Sequence, residues 1–191
     1  MRKQLLLAIA FSLGIWAYLL AGNPPRNANA AHSNGPASED GITALFSPSG
    51  GCTDAIVSEI GKAAQAVDIQ AYAFTSQPVA QAVADAVARG VRVRVILDKA
   101  QRTDHASAAE FLASHNVPVY IDDQHALAHN KVLIIDGNEV ITGSFNLTKS
   151  AEERNAENLL ILRGRPKLAA TYESNFEHHL FHSSPLAAPK Q

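Results

Sequence analysis

The chain has 191 residues, 47% of them apolar, and its 16 basic and 18 acidic residues give a net charge of −2. That length and apolar share suffice for one globular domain with a core of its own, while the charge balance lacks the basic excess that usually marks a nucleic-acid binder. Cys52 is the single cysteine, which excludes an intramolecular disulfide. Unpaired and outside any recognisable cysteine-hydrolase pattern, it reads as a small buried apolar residue.

Arg2 and Lys3 precede an uncharged run over residues 5–22, Pro24-Pro25 ends it, and Ala28-Asn29-Ala30 places small residues at the minus-three and minus-one positions of a cleavage site. Basic, then apolar, then A-x-A is the order of a secretory signal peptide, expected here over residues 1–30. The run is also long enough to act as an N-terminal membrane anchor if it is retained. The expected destination is therefore export, periplasmic or secreted. Without Arg2, Lys3 and Arg26 the chain keeps 13 basic residues against 18 acidic ones, a net charge near −5. Residues 31–41 are polar with Gly and Pro, and are expected to form a flexible linker.

Regular patterning starts at Ile42. Residues 42–46 (ITALF) form a strand candidate, and Thr53 is placed to cap a helix whose Ile56, Ile60 and Ala64 recur every four residues. Residues 67–74 alternate as a half-buried strand. Pro78 suits the first turn of a helix carrying Val79, Ala82, Val83, Ala86 and Val87 on one stripe, which Gly90 closes. A strand (91–97), a short helix (107–114) and a strand (117–121) follow. This alternation predicts an α/β layer fold with a partly parallel sheet. Residues 131–135 and 140–142 read as two strands joined by the tight turn Asp136-Gly137-Asn138, residues suited to positive φ. One more strand (158–163) precedes a last helix opened by Pro166, with Leu168, Tyr172 and Phe176 on one face. The domain is expected to span 42–182, leaving 183–191 as a tail.

Within this pattern lies HNKVLIIDGNEVITGSFN, residues 129–146. His129 and Lys131 are two apart at a strand start and share a face, as do Ser144 and Asn146 on the return side. Gly143 permits a close approach by backbone or ligand. If both ends meet at one sheet edge, they assemble an imidazole, a fixed cation, a hydroxyl and a carboxamide. Lys, Ser and Asn can bind non-bridging phosphate oxygens while a neutral His acts as nucleophile or base, a grouping that needs no metal. Six identities at set spacings arise by chance in such a chain on the order of once in 10⁵ to 10⁶ cases, so the joint pattern outweighs the ordinary reading of each residue as a solvated strand end. Three other histidines are weaker candidates. His125 shares the parity of His129, and His178 and His182 have the i, i+4 spacing of a metal pair beside Glu177 and His179, but without a third ligand in H-E-x-x-H form.

The pattern His129-x-Lys131, Asp136, Gly143-Ser144-x-Asn146 resembles the HxK…D…GSxN signature of the phospholipase D superfamily. FSPSGG (46–51), AYAFTS (71–76), RGVRVRVILD (89–98) and GSFNLTKSAEERNAEN (143–158) are similar to stretches of its small bacterial endonucleases, which carry one signature per chain. The resemblance implies an α/β/α sandwich around a mixed, mostly parallel sheet. It implies a catalytic set of His129, Lys131, Asp136 and Glu157, with Lys131, Ser144 and Asn146 as phosphate binders and no metal or cofactor. His129 would attack phosphorus to form a phosphohistidine, and Glu157 would hold its other ring nitrogen and fix the tautomer. Asp136, of the wrong parity for the phosphate, is expected to play a structural or orienting part.

The family's general acid is a second histidine, so a chain with one signature is expected to form a homodimer, working best at roughly pH 6 to 7. A low-specificity endonuclease acting on DNA or RNA is the reading these features imply first. A phospholipase D or cardiolipin-type lipid hydrolase is the alternative, and a non-catalytic phosphate- or nucleic-acid-binding module a lesser one.

Overall fold

The computed structural model describes residues 36–186; the leader expected over 1–30 lies outside them. In chain order the elements are β1 (Ala37–Glu39), β2 (Ile42–Ser47), α1 (Cys52–Lys62), β3 (Ala66–Ala71), α2 (Gln77–Ala88), β4 (Arg92–Asp98), a 3₁₀ turn (Lys99–Arg102), α3 (Ala109–Ser114), β5 (Val119–Asp122), β6 (Lys131–Ile135), β7 (Glu139–Gly143), α4 (Lys149–Glu153), β8 (Glu157–Leu162), α5 (Pro166–His182) and β9 (Ser184–Pro185). The strands form one sheet in the order β1-β2-β8-β7-β6-β3-β4-β5-β9.

The sheet is mixed, as expected, but it is not mostly parallel. Only β3, β4 and β5 pair in parallel, joined by helical crossovers. Every other pairing is antiparallel. The cause is local: a tight turn joins β6 to β7, and a connection that short can only reverse the chain. Two boundaries also move. Ala37–Glu39, expected within a linker, pairs with β2, and Ser184–Pro185, expected in a tail, pairs with β5.

One face of the sheet packs Val67, Ile69, Val95, Leu133 and Ile141 against helices α1 to α4, whose Ile56, Ile60, Val83, Leu112 and Ala151 point inward. On the other face α5 lays Ala169 and Phe176 over Ile96, Val132, Ile134 and Val140. Strand alternation thus sends successive residues into two separate cores, giving the α/β/α sandwich. An ion-pair network fastens α5 as well: buried Asp68 accepts from Arg92 and Arg94, and Arg94 reaches Glu177 at 2.7 Å. Among the described residues no helix is long and apolar enough to cross a membrane.

Two caps deserve their physical account. Thr53 does not cap α1 with its hydroxyl; instead Glu152 of α4 accepts from the Gly51 and Thr53 amides at 3.0 and 2.7 Å. A carboxylate at a helix N-terminus satisfies orphan donors and opposes the dipole at once. Cys52 is fully buried there, and burial, together with the nearby Glu152 charge, pushes its thiol up to about 11, in keeping with a structural role.

The second cap is Asp136. It adopts φ 51° and Gly137 φ 61° at the β6–β7 turn, and its carboxylate accepts from the amides of Ala64, Gln65 and Ala66 at 2.9, 2.7 and 2.9 Å. Burial pushes that carboxyl up, but the three amides outweigh it and hold it below its ordinary value. Its stabilising effect is therefore complete above the unfolded value near 3.9 and is lost as pH falls through the lower folded value. Asp136→Ala is expected to cost about 1–3 kcal/mol in urea unfolding, and Asp136→Asn less. Both are expected to flatten the fall in stability below about pH 4; an acid profile identical to wild type would refute the assignment.

Candidate active site

Lys131 opens β6 opposite Ala71, the last residue of β3, and Gly143 ends β7 opposite Leu159 near the start of β8. The two halves of the 129–146 pattern therefore meet at one sheet edge, together with the carboxyl ends of the parallel strands. Open α/β sheets bind ligands at such an edge.

The segment after β3 holds both halves. The Tyr72 amide donates to the Asn130 carbonyl at 2.9 Å, and the Leu147 amide donates to the Ala73 carbonyl at 3.1 Å. Phe145 and Leu147 are buried in the core, so alternation turns Ser144 and Asn146 the other way. The His129 ring lies 4.5 Å from that of Tyr72, centroid to centroid. Lys131 Nζ sits 5.1 Å from the Tyr72 ring centroid and donates to the His129 carbonyl oxygen at 2.9 Å. Tyr72 is thus a floor shared by imidazole and ammonium, a role that strand alternation alone could not reveal. Desolvation holds the Lys131 ammonium below its ordinary value, and the Glu157 charge partly offsets that.

Ser144 donates to Glu157 Oε2 at 2.6 Å and accepts from the Asn158 amide at 3.1 Å. This contact depends on Gly143, where a Cβ would lie 2.2 Å from the Asn158 carbonyl oxygen. Glu157 Oε1 accepts from Asn155 Nδ2 at 3.0 Å. The expected Glu157–His129 bond is absent: both oxygens of the carboxylate are already engaged, and the His129 side chain makes no hydrogen bond among the described residues. Glu157 supports Lys131 and Ser144 instead. Asn146 Oδ1 is buried without a hydrogen-bond partner, a state that native structures rarely keep without a use.

Asp136 does not belong to the site. It lies at the opposite end of β6 from Lys131, about 16 Å away at strand rise, and caps backbone amides there. His125 turns from the rim toward Asp122, at 2.9 Å, where His179 and His182 also converge. His178, which shares the i, i+4 spacing with His182, is exposed beside them. Asn155 and Asn158 were not foreseen as site supports, although both stand within the quoted GSFNLTKSAEERNAEN.

An exposed imidazole beside a desolvated ammonium, with a hydroxyl and a carboxamide on the segment that follows β7, is a site for a phosphodiester. Residues 56–180 match the family described as "Cardiolipin synthase, PLD-like domain". The chain is 41% identical over 139 residues to a "Phospholipase D" of Rickettsia prowazekii, covering 73% of this chain and 67% of that one. It is 36% identical over 188 residues to a "Phospholipase D" of Rickettsia conorii, covering 91% and 94%. In structure it resembles Nuc of Salmonella typhimurium, a phospholipase D family member, with TM-score 0.75 and 30% identity over 80% of this chain and 99% of Nuc. The chain belongs to the phospholipase D superfamily and is one of its phosphodiesterases.

Because Glu157 supports the charge on Lys131, Glu157→Gln is expected to lower the pH at which Lys131 loses its proton. An NMR titration of the lysine ε-carbon reads this directly, and an unchanged or higher midpoint would break the coupling.

Proposed function

We propose that this chain is an exported endonuclease of low sequence specificity that cuts through a phosphohistidine at a site completed by a second copy. The observation that carries the reading is His129 itself. It is exposed and free of side-chain hydrogen bonds among the described residues, while Lys131, Ser144 and Glu157 around it are fixed. A neutral ring nitrogen of His129 attacks phosphorus, the P–N bond forms, and the P–O bond to the leaving group breaks. Lys131 and Asn146 hold the non-bridging oxygens, and Ser144 assists. The leaving oxygen takes its proton from the partner's histidine, and water then hydrolyses the phosphohistidine. The likeness to Nuc over 99% of that chain supports the endonuclease class. Export rests on the order of the first thirty residues.

One observation favours a second substrate. Leu127, two residues before His129, is 58% exposed, and Phe181 at the end of α5 is 92% exposed. Apolar side chains of that kind suit a lipid surface, as do the names of the Rickettsia relatives. Supercoiled plasmid and anionic phospholipid vesicles are therefore the two assays. Without added divalent metal, wild type is expected to nick plasmid, with DNA binding that falls steeply as salt rises. His129→Ala is expected to lose about 10³-fold or more in rate, and intact mass of acid-spared wild type reacted with a short oligonucleotide to show a covalent adduct carrying the phosphorylated fragment. Turnover of vesicles alone would transfer the site to the lipid reading; nicking unchanged in His129→Ala would end both.

The homodimer has a surface to use. α5 packs on β3, β5, β6 and β7, and the same sheet face beyond it leaves Phe46 50% and Leu160 36% exposed. Phe46 precedes Ser47, the residue paired with Glu157, so the patch adjoins the site. The double variant Phe46→Glu, Leu160→Glu is expected to sediment as a monomer and to lose roughly 100-fold or more in activity, the share of a general acid. A fully active monomer would refute the shared site.

A further inference from the structure

We propose that Asp122, His125, His179 and His182 bind a zinc ion that ties the end of α5 to the loop carrying His129. The carboxylate oxygen and three imidazole nitrogens lie within 4.8 Å of one another. His125 Nδ1, His179 Nδ1 and His182 Nε2 stand 2.9, 2.8 and 3.3 Å from Asp122 Oδ2. A tetrahedral zinc with bonds of 2.0–2.2 Å needs donors about 3.4 Å apart. His182 already stands near that distance from Asp122 Oδ2, while His125 and His179, at hydrogen-bond distance, need to withdraw by about 0.5 Å to admit the ion.

The donor chemistry selects the metal class. Three imidazoles and one carboxylate suit zinc and its neighbours in the first transition row, whereas calcium and magnesium demand oxygen ligands. Four protein ligands make the site closed, the form of structural zinc rather than catalytic zinc. Its surroundings agree. Asp122 is fully buried, and its Oδ1 accepts from the Gln124 amide at 3.2 Å, which leaves Oδ2 directed at the three imidazoles. Lys99 Nζ holds the His125 carbonyl at 2.9 Å, fixing the loop behind the ligand. His179 and His182 stand in the last turn of α5, the negative end of the helix dipole, which favours a cation.

The spacing of ligands in sequence explains why this grouping is invisible in the chain alone. Asp122 and His125 are three apart, as are His179 and His182, but the pairs are separated by more than fifty residues. The i, i+4 pair that the sequence suggests, His178 with His182, is not the one the fold uses, because His178 faces outward. The consequence is positional: His125 is four residues before His129, so a closed site here limits the freedom of the loop that presents the nucleophile. The inference stands apart from the identity of the substrate.

The test uses the full chain, stripped with chelator and titrated with zinc and with cobalt(II). Zinc is expected to bind one per chain with submicromolar affinity against a chromophoric competitor, and to raise the melting temperature by several degrees. Cobalt is expected to give the intense visible absorption of four-coordinate tetrahedral geometry. His182→Gln, at the longest of the three contacts, is expected to weaken zinc about 100-fold, while His178→Ala leaves affinity unchanged. The wild-type cobalt spectrum decides even if a ligand variant folds poorly. A pale octahedral spectrum, no stoichiometric zinc, or zinc binding undiminished in His182→Gln and His179→Ala would each overturn the site.

Discussion

Five residues after β3, 72–76, determine whether this protein has a site at all. Their backbone bonds to both halves of the signature: the Tyr72 amide donates to Asn130 on one side, and on the other Ala73 accepts from the Leu147 amide while the Thr75 and Ser76 amides donate to the Leu147 carbonyl. The stretch is itself anchored, since Phe74 is fully buried, its amide donates to Gln101 Oε1 at 3.1 Å and its carbonyl accepts from Ala108. A chain segment satisfied on every side cannot shift without leaving buried peptide groups unpaired. The separation of His129 and Lys131 from Ser144 and Asn146 is thereby set by peptide geometry rather than by flexible side chains.

The parallel strands contribute to the same end by a different means. β4 and β5 each finish in a buried carboxylate, Asp98 at 1% exposure and Asp122 at 0%. Asp98 caps the turn that follows it, through Ala100, and also accepts from the amide of Ala128, next to His129, at 2.7 Å. Asp122 collects three imidazoles; burial opposes its charge, but His179, His125 and His182 outweigh burial and hold its carboxyl far below the usual range. A buried carboxylate is costly unless its oxygens are matched, and here Ala128 and His125 from the loop that leads to His129 supply part of the matching, with α5 supplying His179 and His182. The desolvation that makes these aspartates expensive is what makes the loop's position specific.

How far the sequence reveals this follows from the range of each interaction. Local signals were legible: the Asp136-Gly137 turn, Pro166 opening α5 and the Lys131–Ile135 strand lie where patterning puts them. So was the joining of His129, Lys131, Ser144 and Asn146 at one edge, because two short strands and a tight turn leave little freedom. Long-range partners were not. Nothing near Thr53 in the chain announces that Glu152, ninety-nine residues on, caps α1. The same holds for the Tyr72 floor and for the pairing of β1 and β9, whose strands are too short to show a period. The Glu157 carboxylate meets Ser144 and Asn155 rather than His129, since parity fixes which face a residue takes but not which of several polar groups on that face it meets.

The pattern of satisfied and unsatisfied groups then separates scaffold from function. Asp68, Asp98, Asp122 and Asp136 are each matched by two or more donors, as is Glu157. Against that order stand the bare imidazole of His129 and three buried oxygens without a partner, Gln70 Oε1, Glu139 Oε1 and Asn146 Oδ1, of which Asn146 adjoins the imidazole's sheet edge. Sequences that specify a fold violate such rules chiefly where they bind or react. An acceptor left unpaired in a site built for phosphate needs a donor from outside this chain, which a protonated group on an incoming molecule or a second copy can supply. One chain therefore presents an imidazole, an ammonium, a hydroxyl and a carboxamide at one sheet edge, and leaves the imidazole without a hydrogen-bond partner among the described residues.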